Sequence, residues 1–328
     1  MTILCYHRVL PYEQKLRYFL PELVVTPTSF RQHCVTLRRH YDVLPLGQAL
    51  QALQAAHDRT KPLAVVTFDD GYQDNFRYAA PVLAETDVKA TFFVIADLIG
   101  TPILPWYDRV GAAVSELQRQ GRAREVLAQF GNTDGAARSL GTMKNEAALP
   151  REIVANVKQL DPTRRKAFVD YVCGAIPSDF SPVADDLIMD WGQLAALAES
   201  GHEIGSHSST HEILTQLDDA TLENEVAGSR ASLETGLGVP VRAFCYPNGD
   251  VDARVARAVV SAGYSCAVTV RQGTDGPDAN AYHLRRWFIH EDRLAGLSGR
   301  SSAARLRMQL CDLTRRLSWS GQTRVETV

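Results

Sequence analysis

Seven short runs of β-branched and aromatic residues, separated by helix-compatible stretches, constrain this chain more than any other feature. They occupy residues 2–7, 64–70, 90–96, 203–207, 242–246, 266–270 and 283–289. Strand-like runs alternating with helices point to parallel strands joined by crossovers. Several runs are apolar on consecutive residues, as expected of strands covered on both faces. Polar residues gather at the ends of many runs, which suits one shared mouth. The pattern therefore predicts an α/β chain built as a barrel of about seven parallel strands over residues 1–292.

Two stretches break the rhythm. Residues 104–186 carry helical signals only. Val110, Val114 and Leu117 share one face, as do Ile153, Val157 and Leu160. Asp161 and Pro162 suit the cap and first position of a helix running to about Ile176. This helical insertion is either a lid over the mouth or a scaffold on the outside. Residues 293–328 form a basic amphipathic tail, with Leu306, Leu310, Leu313 and Leu317 among Arg305, Arg307, Arg315 and Arg316. Such a stripe either packs on the body or docks at a membrane surface.

Composition narrows the function classes. Of 328 residues, 45% are hydrophobic and 22% charged, which excludes a disordered chain. Thirty-five basic against 38 acidic residues leave a net charge of −3, so no positive field gathers nucleic acid. No apolar run approaches the 18 residues or more that a membrane span needs. The start lacks a basic segment followed by an apolar one, so a cytoplasmic, reducing location is expected. Six cysteines form no C-x-x-C pair, and Cys5, Cys245 and Cys266 read as small core residues.

Chemistry concentrates in two places. The run Ala64-Val65-Val66-Thr67-Phe68 ends in Asp69, Asp70 and Gly71. Adjacent anions repel, and a cation beside them relieves the conflict. Further on, His207 and His211 stand four apart with Ser208, Ser209 and Thr210 between them, a spacing that lets two imidazoles share one ion. Together they offer one carboxylate and two imidazoles as ligands, with a second carboxylate free to accept a proton. Three protein ligands leave a position for water, which is equipment for hydrolysing an amide. The patterns of zincin proteases, serine hydrolases, P-loop NTPases and Rossmann dehydrogenases are absent. A glycosidase is disfavoured as well, because its two carboxylates flank the scissile bond about 5–9.5 Å apart, whereas Asp69 and Asp70 share one turn.

Four ordered segments, Cys5-Tyr6-His7-Arg8-Val9, Thr67-Phe68-Asp69-Asp70-Gly71, His207-Ser208-Ser209-Thr210-His211 and Phe244-Cys245-Tyr246-Pro247-Asn248-Gly249, carry a resemblance. The chain resembles the polysaccharide deacetylase group (NodB homology, carbohydrate esterase family 4), in the branch that begins with Tyr-His-Arg. The resemblance implies a distorted (β/α) barrel and a metal-dependent hydrolase removing acetyl from an N-acetylated sugar or glycan. It makes Asp69 the base, Asp70, His207 and His211 the ligands of a divalent ion, zinc first, and the Tyr246 amide an oxyanion donor. The family's usual arginine and late histidine are not clearly present. Arg242 stands four residues before Tyr246, out of the family's place, so Arg286 is the expected partner of the base, and His7 the expected acid, with His290 in reserve. Trp191 is expected either to wall the acetyl methyl or to anchor the following helix. Rival readings are an O-acetyl esterase, a deformylase, or an inactive carbohydrate-binding barrel.

Overall fold

The computed structural model describes residues 1–55, 59–133, 148–176, 187–296 and 301–310. They divide into two compact units, one from Met1–Leu16, Pro21–Pro102 and the described part of Leu187–Thr327, the other from Arg17–Leu20 and the described part of Ile103–Asp186.

The first unit holds ten strands: β1 (Thr2–Tyr6), β2 (Arg8–Val9), β3 (Val24–Val25), β4 (Asp42–Val43), β5 (Leu63–Phe68), β6 (Ala90–Val94), β7 (Glu203–Ser206), β8 (Ala243–Cys245), β9 (Cys266–Val268) and β10 (Trp287–Phe288). The main sheet runs β10-β1-β5-β6-β7-β8-β9, all neighbours parallel, with β4 beside the start of β5. The chain around β10 touches both edges. Leu284 bridges Val268 on β9, while Trp287 and Phe288 pair with Leu4 and Cys5 on β1. One segment thus closes the sheet into the expected distorted barrel. The seven expected strands are all present. An eighth in the same sheet, β4, is two residues long and too short to show periodicity.

Alternation along each strand divides the core. Ile3, Val65, Phe93, Ala243, Cys245, Cys266, Val268 and Leu284 form an inner cluster, joined by Leu46, Ala49 and Leu50 of the helix Leu46–Gln54. Their neighbours Leu4, Tyr6, Val66, Phe68, Phe92, Val94, Ile204 and Phe244 belong to a larger cluster. That cluster takes in Phe30, Cys34 and Leu37 of the helix Pro27–His40 and Leu194 and Leu197 of Trp191–Glu199. Each fully buried side chain of this kind is worth about 1.5–3 kcal/mol.

Trp191 opens its helix behind the cap Asp190, and its ring lies against Gly236, where an added Cβ would sit 2.3 Å from the indole. It is packed as an anchor. The last described helix, Ala303–Leu310, buries Leu306 and Leu310 in the larger cluster. Leu313, Leu317, Arg315 and Arg316 lie outside the described residues. Among the described residues no helix is long and apolar enough to cross a membrane.

The second unit is helical, with Trp106–Arg119, Ala123–Thr133, Leu149–Val157 and Pro162–Gly174. Val110, Val114, Leu117, Ile153, Val157 and Leu160 share one core with Phe168. Asp161 caps its helix by accepting from the Arg164 amide at 3.0 Å. The unit has its own core, so it is more than a surface loop.

Candidate active site

The site residues sit at the carboxyl ends of the strands and continue their inward alternation. Cys5 is followed by His7, Thr67 by Asp69, Gly205 by His207, and Leu284 by Arg286. Strand pairing sets their heights, with Cys5 opposite Thr67 and Phe93 opposite Gly205.

Beyond the strands the backbone is forced. Among the described residues five non-glycines have φ between 51° and 71°, and four of them, Asp70, Ser208, His211 and Asn248, lie in these strand-end loops. Each costs on the order of 1–3 kcal/mol and persists because its surroundings hold it. Gly71 shares that conformation at φ 83° and could not carry a side chain, since an added Cβ would meet Val94 at 2.8 Å. The turn is what separates the two aspartates and sends them to different partners.

Asp69 faces the inside of the barrel, 2% exposed. Its Oδ1 accepts from Arg286 Nη1 at 2.6 Å and its Oδ2 from Nη2 at 2.8 Å, a two-pronged pair. Arg286 is itself buried and donates Nε–H to the Thr269 carbonyl at 2.9 Å. Burial works against the Asp69 carboxylate, but the Arg286 charge overrides it and holds the group well below the usual range. Arg285, by contrast, pairs with Asp275 at 3.0 Å, and Arg242 is exposed.

Two thiols complete this pocket. Cys5 Sγ and Cys245 Sγ lie 3.5 and 3.6 Å from the same Asp69 oxygen, and Arg286 Nη2 lies 3.2 Å from Cys245 Sγ. Both cysteines are buried, as expected of small core residues, and they also border the Asp69 carboxylate.

Asp70 is equally buried and faces the two histidines. Its Oδ1 stands 3.6 Å from His207 Nε2 and 3.6 Å from His211 Nε2. That is too long for a hydrogen bond. The imidazoles meet edge to face with centroids 4.6 Å apart. His207 donates Nδ1–H to the Cys245 carbonyl at 2.8 Å, which leaves the Nε2 lone pair facing Asp70. Burial lowers the His207 pKa, so the ring is neutral near pH 7. Ligand atoms bonded at about 2.0–2.2 Å to one centre are spaced by about this much. A carboxylate and two imidazoles whose ligand atoms lie within 4.8 Å of one another fit a divalent ion of the borderline kind, zinc among them.

The remaining expected residues lie around these pockets. His7 has a ring nitrogen within 4.8 Å of an Asp69 oxygen and of Cys5 Sγ. Burial drives its pKa down to about 4, although the Asp69 charge pulls the other way. Phe288 stacks on both His7 and His290, at 5.8 and 6.4 Å, while His290 donates to the Glu22 carbonyl at 3.2 Å. The Tyr246 amide donates to the Val268 carbonyl at 3.3 Å, and its hydroxyl to the Tyr282 carbonyl at 3.1 Å. The expected open oxyanion donor is therefore already committed to the sheet.

A barrel mouth with an aspartate pair divided between an arginine and two histidines defines a hydrolase-like centre, and comparison with known proteins agrees with it. The family model for polysaccharide deacetylase matches residues 56–131 and 156–267, more than half of the chain. The chain belongs to the polysaccharide deacetylase family. It is 35% identical over 79 residues to the YxkH protein of Bacillus subtilis (strain 168), spanning 24% of this chain and 28% of that protein. It is 46% identical over 68 residues to a gellan lyase of a Bacillus species, 20% of this chain and 3% of that protein. The chain thus spans under a third of the curated relatives it matches. The fold recurs in the deacetylase PplD of Streptococcus pyogenes, solved in complex with acetate, with TM-score 0.60 and 18% identity over 94% of this chain and 97% of that one. It recurs too in IcaB from Ammonifex degensii, with TM-score 0.55 and 19% identity over 89% and 92% of the two chains.

Proposed function

We propose that this protein is a metal-dependent de-N-acetylase that hydrolyses the acetamide of an N-acetylated sugar or glycan to acetate and a free amine. The carrying observation is that Asp70 Oδ1 stands 3.6 Å from Nε2 of both His207 and His211, with ligand atoms of all three within 4.8 Å of one another, beside a second aspartate clamped by Arg286. In this reading the three converging residues hold the ion. When bound, the ion would supply the Lewis acidity that a base held as low as Asp69 needs in its partner water.

Every other task falls to the chain itself. Arg286 keeps Asp69 ionised and fixes both its oxygens, so the base is oriented before substrate arrives. His7 is neutral in the resting protein and has no proton to spare near pH 7. It becomes the acid for the leaving amine by receiving the proton that Asp69 has taken up, its ring nitrogen lying within 4.8 Å of an Asp69 oxygen. The Tyr246 amide joins the oxyanion site by releasing its 3.3 Å bond to Val268, which is long for the type.

The test is acetate release from N-acetylated hexosamine oligomers, measured beside O-acetylated and N-formylated analogues. Activity on the N-acetyl compounds that disappears with chelator and returns with zinc supports the reading. Release confined to esters or formamides overturns the substrate assignment, and release indifferent to chelator overturns the metal.

A further inference from the structure

The His207–His211 loop leaves the sheet at its first residue and carries two left-handed residues, Ser208 at φ 65° and His211 at φ 63°. Something must hold that shape. Part of it comes from the end of β6, where Ala96 and Asp97 amides donate to the Ser208 and Ser209 carbonyls at 3.1 and 3.0 Å. Ser208 Oγ accepts the His211 amide at 3.0 Å, and further support comes from a residue fifteen positions past Thr210. Glu225 accepts from the Thr210 amide at 3.0 Å with Oε2 and from the Thr210 hydroxyl at 2.5 Å with Oε1, while its own carbonyl accepts the Ser209 amide at 3.1 Å.

Three further observations single out Glu225. Its carboxylate is buried, 5% exposed, and among the described residues no lysine or arginine pairs with it. A buried anion satisfied by loop amide and hydroxyl alone is costly, and nothing in the surrounding packing demands one. Glu225 also belongs to a widened, π-type helical turn, Asn224–Gly228, a form that is rare and collects at functional sites. Finally, that turn reaches the same loop by a second buried route. Ser229 Oγ bonds Ser206 Oγ at 2.8 Å, Ser206 Oγ accepts the Ser208 amide at 3.2 Å, and the Tyr264 hydroxyl donates to the Val226 carbonyl at 3.0 Å.

We infer that Glu225 is a positioning residue for the ion, setting the aim of His211 through its two bonds to Thr210. The inference rests on the reading of Asp70, His207 and His211 as ligands. Removing a group that orients a ligand typically weakens ion binding about 10- to 100-fold.

The experiment is a zinc titration of apo protein against a chromophoric chelator, with the cobalt form followed by its visible absorption and the apo form by its melting temperature. In Glu225→Gln one oxygen becomes an NH2 group that cannot accept from Thr210. Zinc affinity falls by about 10-fold or more, the cobalt bands shift, and the apo melting temperature stays near the parent's. Thr210→Val breaks the same bond from the other side, and Thr210→Ser restores the affinity. The double variant Glu225→Gln/Thr210→Val is no weaker than the worse single, as expected of one shared interaction. Zinc affinity within twofold of the parent in both Glu225→Gln and Thr210→Val, or losses that simply add, overturns the inference. A parent that binds no zinc overturns the ligand reading itself and the inference with it. Should Glu225→Gln not fold, the Thr210 pair decides the matter alone.

Discussion

Asp69 and Asp70 are neighbours in sequence, equally buried, and chemically identical, yet they stand in opposite surroundings. One is neutralised from within by a buried guanidinium at 2.6 and 2.8 Å. The other faces the imidazoles of His207 and His211, each with Nε2 3.6 Å from its Oδ1. The turn at Asp70 and Gly71, both with positive φ, produces the division. The difference teaches that a carboxylate's role is set by what the far strands deliver to it. Asp69 has its cation from the closing segment of the barrel, while in the proposed reading Asp70 shares an added divalent ion with the two histidines.

The largest effect comes from exchanging the two. Asp70→Asn removes the anionic ligand, so added zinc no longer raises the melting temperature and acetate release falls by about three orders of magnitude or more. Asp69→Asn lowers release comparably but keeps the zinc-induced stabilisation, which amounts to about 2.7 kcal/mol at a hundredfold excess over Kd. Scanning calorimetry with and without zinc separates them. Equal zinc responses in the two variants would erase the distinction between the pockets.

A smaller effect sharpens the base side. Arg286→Met leaves a buried, unpaired carboxylate and destabilises the protein by about 3–5 kcal/mol. Without the guanidinium, burial raises the Asp69 pKa unopposed, because a nearby positive charge had favoured the ionised form. A base works only when deprotonated, so the acidic limb of the kcat/KM profile moves to higher pH. Asp69→Asn/Arg286→Met recovers much of the lost stability without recovering activity. Denaturant melts and a pH–rate profile from pH 5 to 9 read both; an acidic limb that stays in place removes Asp69 from the proton transfer.

Much of this arrangement was legible in the chain. Runs of β-branched residues gave the seven principal strands, and the spacing of Asp69, Asp70, His207 and His211 picked out the residues that the fold assembles. Arg286 was legible only through resemblance, since nothing local distinguishes it from Arg285. The distinction is one of register. Arg286 falls on the inward side with Leu284, and Arg285 falls outward onto Asp275. Glu225 left no signal, because its partner Thr210 lies fifteen residues earlier and the widened turn that aims it has no sequence signature. The Tyr246 amide, expected as an oxyanion donor, bonds the Val268 carbonyl at 3.3 Å, so in the proposed reading it leaves the sheet to serve.

The smallest effect concerns the thiols that line the Asp69 pocket. Burial pushes both Cys5 and Cys245 well above the ordinary thiol range, outweighing the Arg286 charge, so neither is a thiolate near neutral pH. They act as weak S–H donors to a carboxylate whose strong partner is Arg286. Cys5→Ser therefore changes kcat/KM by about twofold at most. Cys245→Ser changes it by about two- to fivefold, because that sulfur also lies 3.2 Å from Arg286 Nη2 and 3.9 Å from His207 Nε2. Iodoacetamide at pH 7 leaves activity intact over an hour, since alkylation needs a thiolate. Rapid inactivation with label on Cys245 would show that the base pocket opens to solvent, and the contrast with the Asp70 side would then rest on charge alone.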